Sequence, residues 1–265
     1  MKNKPIRCFE GTAQPHERFW RVIDAAESQS GEAEIDFDGV ISEYSWYDDD
    51  ITPKMFKDDL YAIGKGGPVT IKVNSGGGDV IAASKIRSIL ADYKGQVTMK
   101  VVGLAASAAV VIVLAGDRIY IQDTAYMMIH DPAFAVFMAY LDISTLKSWL
   151  AELETIKQGI QDTYVSKTGI SAEKINRMMS ETTWLTANEA VKLGFADEVL
   201  SAGRDAQGSE SVSAAQANAS VLKNYMNVPA ALLNQQASEP VQKIVADDEL
   251  SEEEQRLSDE VELNL

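Results

Sequence analysis

Ser107 stands alone among small residues in Gly103-Leu104-Ala105-Ala106-Ser107-Ala108-Ala109, where an apolar run from Val97 to Val102 passes into another from Val110 to Ala115. A serine hydroxyl attacks a carbonyl only when a neighbouring base takes its proton, and the chain has two histidines, His16 and His130. His130 ends Tyr126-Met127-Met128-Ile129-His130-Asp131-Pro132, which reads as a buried strand running into a turn, a rigid mount for an imidazole. His16 lies in a polar leader that reads as frayed. Ser107 is therefore the candidate nucleophile and His130 the candidate base. Taken singly, each residue also has a purely structural reading, the serine as a small packing residue and the histidine as a satisfied strand end.

A third element favours chemistry. Val69-Thr70-Ile71-Lys72-Val73 reads as a β-branched strand, followed by Asn74-Ser75-Gly76-Gly77-Gly78 and a helix from Asp79. Three glycines after a strand let backbone approach a ligand and turn N–H groups toward negative charge, as an oxyanion hole requires. The spacing is not the G-x-G-x-x-G dinucleotide fingerprint, and no stretch matches the G-x-x-x-x-G-K-[ST] phosphate loop. Alanine at 105 and 109 also removes Ser107 from the G-x-S-x-G elbow of the α/β-hydrolases.

Read in order, Asn74-Ser75-Gly76-Gly77-Gly78-Asp79-Val80, Gly103 to Ala108, Met128-Ile129-His130-Asp131-Pro132, and Trp184-Leu185-Thr186-Ala187-Asn188-Glu189-Ala190 with Leu193 to Val199 resemble the motif series of the ClpP-like serine peptidases. The resemblance covers roughly residues 33 to 200. Glycine at 76, where the usual form carries proline, resembles the phage and prophage branch, the head maturation or prohead proteases. The resemblance implies that Ser107 attacks the peptide carbonyl, that His130 relays the proton, and that the N–H groups of Ala108 and Gly78, with Gly77 alongside, bind the oxyanion.

The resemblance also implies a carboxylate that orients the histidine, and here the chain departs from the pattern. Anchored on Trp184-Leu185-Thr186-Ala187, that position is Thr182, with Glu181 one residue earlier. Either Glu181 substitutes or the site runs as a dyad, with Thr182 accepting a hydrogen bond; Asp131 and Asp162 are weaker candidates. Glu181-Thr182-Thr183 also reads as an ordinary helix start before Trp184.

The elements that must position these groups alternate. Strands are expected over 33–41, 69–73, 97–102, 117–121 and 125–129, and helices over 52–65, 79–93, 107–115 and 142–168, a βαβ series. By resemblance the fold class is α/β, a ClpP/crotonase-like spiral of βαβ units with a long projecting handle helix. Ile143, Leu146, Leu150, Leu153, Ile156 and Ile160 follow helical spacing within 142–168. Such a stripe ordinarily packs on its own core; by resemblance it joins rings instead. The expected organisation is a leader over 1–32, a peptidase domain over 33–200, and a linker and acidic tail over 201–265.

Composition narrows the setting. One cysteine, Cys8, excludes an intramolecular disulfide, and with two histidines it offers no metal-ligand cluster, so no metal or cofactor is expected. A formal charge of −16 disfavours nucleic acid, whose binding depends on Lys and Arg. No run spans a bilayer, and the basic start lacks an apolar signal core, so the expected location is cytoplasmic. Residues 201–265 carry four basic and twelve acidic residues, half the net charge. The tail is expected to stand outside the core, and its removal to leave small-peptide cleavage intact.

The resemblance implies a homo-oligomeric ring, stacked in pairs, acting on protein substrates: scaffold and capsid proteins, or unfolded polypeptide fed by a separate ATPase. A Ser-Lys peptidase, a crotonase-like acyl-CoA enzyme and a non-catalytic ring component are the other readings.

Overall fold

The computed structural model describes residues 22–26, 28, 31–44, 50–134, 136, 140–201 and 225–228. His16 and Cys8, and the acidic block from 247 to 262, lie outside the described residues. The alternating stretch Ala33–Ile41 forms β2, its odd-numbered residues buried and its even-numbered ones half-buried, as a period of two requires. It pairs antiparallel with the short β1 (Val22–Ile23) and parallel with β3 (Val69–Gly78). β3 pairs in parallel with β4 (Val97–Ala106), which pairs in parallel with both β5 (Arg118–Gln122) and β6 (Tyr126–Ile129). β7 (Thr183–Thr186) adds antiparallel to β6, and β8 (Glu198–Leu200) in parallel to β5, giving an eight-stranded sheet.

Parallel neighbours need crossovers. Helices α1 (Pro53–Gly64), α2 (Val80–Ala91) and α3 (Ala108–Val113) supply them after β2, β3 and β4. Thr52 caps α1 by accepting from the Met55 N–H, and Pro53 occupies its first turn, where no N–H is required. The buried faces of these helices join the inward side chains of β2 to β5 in one core that includes Phe37, Ile71, Ile86, Met99, Ile112 and Ile121. α4 (Ile143–Thr168), α5 (Ala172–Ser180) and α6 (Ala187–Lys192) complete the domain. Among the described residues no helix is long and apolar enough to cross a membrane.

Three differences from the sequence reading bear on the site. β3 and β4 run past their expected ends at 73 and 102, because their final residues still find partners: Val40 faces Gly77, Ile41 faces Gly78, Ser75 faces Ala105 and Ala106 faces Met128. The glycines are thus the last rungs of a strand and not a free turn. Glu181-Thr182-Thr183 does not start a helix: Glu181 caps the C-terminus of α5, Thr182 takes a positive φ of 53°, and Thr183 begins β7. The helix begins at Ala187, where Thr186 and Glu189 form a capping box.

The third difference is at the tail. Tyr225–Val228 does not stand outside the core; Tyr225 and Val228 pack against Leu104, Ala106 and Met128, beside Tyr126 and Trp184. α4 divides in two. Its C-terminal half packs through Ile160 and Tyr164, whereas Ile143, Leu146 and Leu150 are 73%, 50% and 58% exposed.

Candidate active site

The site grows from one register. Parallel pairing sets Ala106 of β4 opposite Met128 of β6, and the chain then crosses over, the Ser107 N–H donating to the Met128 carbonyl at 2.8 Å. Ser107 follows the end of β4, and His130 follows the end of β6, so both side chains emerge at the same edge. Ser107 Oγ lies 2.8 Å from His130 Nε2. This is hydrogen-bond distance for a proton transfer.

Ser107 adopts φ 55° and ψ −123°, a conformation that non-glycine residues rarely hold. It occupies the N-cap of α3, yet its side chain caps nothing. A serine at this position ordinarily satisfies a first-turn N–H; here the oxygen turns to the imidazole instead. No described residue accepts a hydrogen bond from the Ala108 N–H, which remains at the helix start beside the serine.

The glycine end of β3 closes the other side. A Cβ on Gly77 would fall 2.6 Å from the Ala106 carbonyl oxygen, 2.9 Å from Ser107 Cβ and 3.1 Å from the Ala108 nitrogen, and Gly77 has φ 96°. Only glycine fits against the nucleophile there. Gly78 backs onto the Ile41 backbone. Ser75, fully buried, anchors the segment: its hydroxyl donates to the Gly39 carbonyl at 2.6 Å and accepts from the Gly77 N–H at 3.1 Å. Sequence reasoning gave Ser75 no role, and its only signal was a polar residue inside a glycine run.

Burial lowers the His130 pKa below 6.5, and the negative charge of Asp131 partly offsets this. The ring is accordingly neutral at pH 7 and able to accept a proton. Among the described residues Ser107 is the one hydrogen-bond partner of His130. Neither orienting candidate reaches it: Thr182 is buried with no hydrogen bond to the imidazole, and Glu181 is exposed and engages Asn227 through its backbone carbonyl. Asp162 pairs with Gln158 on the surface of α4. Asp131 is the anion whose charge acts on the imidazole, its Oδ2 held by Lys157 Nζ at 2.9 Å and Ser180 Oγ at 3.0 Å. Among the described residues no cluster of three or more His, Cys, Asp or Glu side chains is arranged to hold a metal.

A serine at a strained strand-to-helix junction, a neutral histidine at hydrogen-bond distance and the N–H of Ala108 beside them make the arrangement of a serine hydrolase on a mixed α/β sheet. The sequence pattern of the Clp protease family matches residues 40–203. The chain is 33% identical over 137 residues to the ATP-dependent Clp protease proteolytic subunit 1 of Chlamydia muridarum, covering 51% of this chain and 71% of that protein. It is 30% identical over 145 residues to the proteolytic subunit 2 of Thermobifida fusca, covering 54% and 70%. A solved structure of a ClpP1 mutant from Listeria monocytogenes shares the fold, with a TM-score of 0.55 at 24% identity over 65% of this chain and 92% of that one. The chain belongs to the Clp protease family and is a serine peptidase.

Proposed function

We propose that the chain is an endopeptidase working through an acyl-enzyme on Ser107. The observation that carries this reading is the 2.8 Å contact between Ser107 Oγ and His130 Nε2. His130 takes the hydroxyl proton as Ser107 Oγ bonds to the scissile carbonyl carbon, then delivers that proton to the leaving amine as the C–N bond breaks. Water, deprotonated by the same imidazole, releases the acyl group. The Ala108 N–H, at the start of α3, and the N–H of Gly78 receive the oxyanion; the Gly77 N–H is already committed to Ser75. Among the described residues no carboxylate is hydrogen-bonded to the imidazole, so the pair acts as a dyad, in the field of Asp131.

The exposed Ile143, Leu146 and Leu150 on α4 support a homo-oligomeric ring whose α4 helices meet a second ring, which would enclose the sites and restrict them to extended chains. Glycine at 76 supports the head maturation role, with scaffold and capsid proteins as substrates. The relatives named as ATP-dependent proteolytic subunits support the second setting, in which a separate ATPase feeds unfolded protein. Ser107→Ala and His130→Ala test the chemistry: each is expected to lower peptide hydrolysis on the order of 10⁴-fold. More than a tenth of the parent rate in either variant contradicts it. Cleavage of scaffold and capsid proteins without nucleotide, against ATP-dependent cleavage with an added Clp ATPase, separates the two settings.

A further inference from the structure

Tyr225-Met226-Asn227-Val228 lies in a region whose composition, alanine, serine, asparagine and glutamine, gives little reason to pack, yet these four residues are held at the active site by contacts of three kinds. The Tyr225 ring meets the His130 imidazole edge to face, centroids 4.9 Å apart and planes at 70°. Its hydroxyl donates to the Gly76 carbonyl at 2.5 Å; burial raises the phenol's pKa, and the Ser107 side chain is near enough to lower it against that rise. The rest of the segment is held as well: Trp184 Nε1 donates to the backbone carbonyl of Met226 at 3.1 Å, and the Asn227 side chain donates through Nδ2 to the Glu181 carbonyl at 3.2 Å. Tyr225 and Val228 fill the apolar cleft formed by Leu104, Ala106, Met128, Tyr126 and Trp184.

We propose that Tyr225–Val228 is a tethered inhibitor that occupies the substrate cleft of its own chain, its phenol standing beside Ser107 and its ring covering His130. The inference rests on the peptidase reading for its consequence, though not for its geometry. A peptide carbonyl must approach Ser107 within about 3.5 Å to react, and the Tyr225 side chain already occupies that approach, its ring against His130 and its hydroxyl on the Gly76 carbonyl. Among the described residues the segment sets a phenol beside the nucleophile, so it blocks the site without presenting a bond to cut there. Donation to the Gly76 carbonyl also commits the phenolic proton, which leaves Tyr225 no part in stabilising an oxyanion. The same cleft is expected to receive an aromatic side chain of a substrate once the segment leaves, with Trp184 Nε1 donating to a substrate carbonyl.

If the closed state holds nine-tenths of the chains or more, displacing the segment raises the competent fraction about tenfold or more. The first experiment reads accessibility without catalysis. In full chains carrying Ser107→Ala, the rate of carbethoxylation of His130 by diethyl pyrocarbonate is followed by peptide mass mapping, with and without Tyr225→Ala. A rise of about tenfold with Tyr225→Ala is expected; equal rates overturn the proposal. The second compares hydrolysis of an unstructured fluorogenic peptide by the parent chain and by Tyr225→Ala, where a similar rise is expected and an unchanged or lower rate overturns the proposal. If neither chain cleaves peptide or reacts with a serine-directed phosphonate, the peptidase reading fails, and the histidine rates alone decide whether the segment covers the site. The intact mass of the parent chain is expected to hold during incubation. Scission between 225 and 228 would make the segment a substrate and overturn its role as an inhibitor.

Discussion

Replacing Gly77 by alanine tests whether the glycine end of β3 and the nucleophile form one rigid unit. The added Cβ meets the Ala106 carbonyl oxygen at 2.6 Å and Ser107 Cβ at 2.9 Å, and φ 96° is itself unfavourable for alanine, by about 1–3 kcal/mol. Reaching an ordinary contact of about 3.4 Å with the carbonyl requires β3 and the Ala106–Ala108 backbone to part by about 0.8 Å. The obstacles are backbone and a Cβ, not the far end of a flexible side chain, so the shift falls on Ser107. Misplacing a reacting group by about 1 Å costs about 10²-fold in rate, equivalent to about 2.7 kcal/mol. Destabilisation of about 2 kcal/mol lowers Tm by about 4–8 °C for a domain of this size. Peptide hydrolysis and a thermal melt of Gly77→Ala against the parent chain, both in the Tyr225→Ala background, read the two effects. A folded variant with the parent kcat/KM would refute the reasoning, because the glycine would then not abut the nucleophile.

Gly159 offers the opposite case, since it lies within α4 with ordinary φ and nothing within 4 Å of its would-be Cβ; Gly159→Ala is expected to stabilise by about 0.5–1 kcal/mol in thermal or denaturant unfolding, with peptide hydrolysis unchanged. The acid limb of kcat/KM reports the His130 pKa, which burial holds below 6.5. Neutral imidazole is the active form, so activity rises as pH rises through that pKa. Asp131→Asn removes the charge that raises it, and the limb is expected to move to lower pH in a pH–rate profile; a move to higher pH contradicts the assignment. Glu181→Gln is expected to leave the rate within about twofold, because Glu181 is exposed and uses its backbone carbonyl, whereas a loss of about tenfold or more in peptide hydrolysis would restore Glu181 as the orienting charge.

The closeness of Ser107 and His130 was legible in the sequence because each follows an apolar strand: small residues surround Ser107 where a strand, a helix and the glycines converge, and an apolar strand leads directly to His130. The βαβ order and the long helix were legible for the same reason, as periodicity is a local property. What the sequence did not disclose depends on contacts between distant segments. β3 continues through its glycines only because Val40 and Ile41 pair with Gly77 and Gly78. Thr182 has a positive φ, a poor state for a β-branched residue that no local pattern announces. Ser75 acts through Gly39, 36 positions away, and Asp131 through Lys157, 26 positions away. The Tyr225 hydroxyl's bond to the Gly76 carbonyl crosses 149 positions, from an aromatic island in a polar region. That island was the one available signal, and composition averaged it away.

The most direct test of the central claim is labelling with a fluorophosphonate, which forms a covalent adduct on a serine made nucleophilic by a neighbouring base. The parent chain and Tyr225→Ala are treated in parallel, and the modified residue is located by peptide mass mapping. One adduct is expected, on Ser107, forming faster in Tyr225→Ala, absent in Ser107→Ala and slowed at least about 10³-fold in His130→Ala. An adduct on a different serine, or undiminished labelling of Ser107→Ala, would contradict the account.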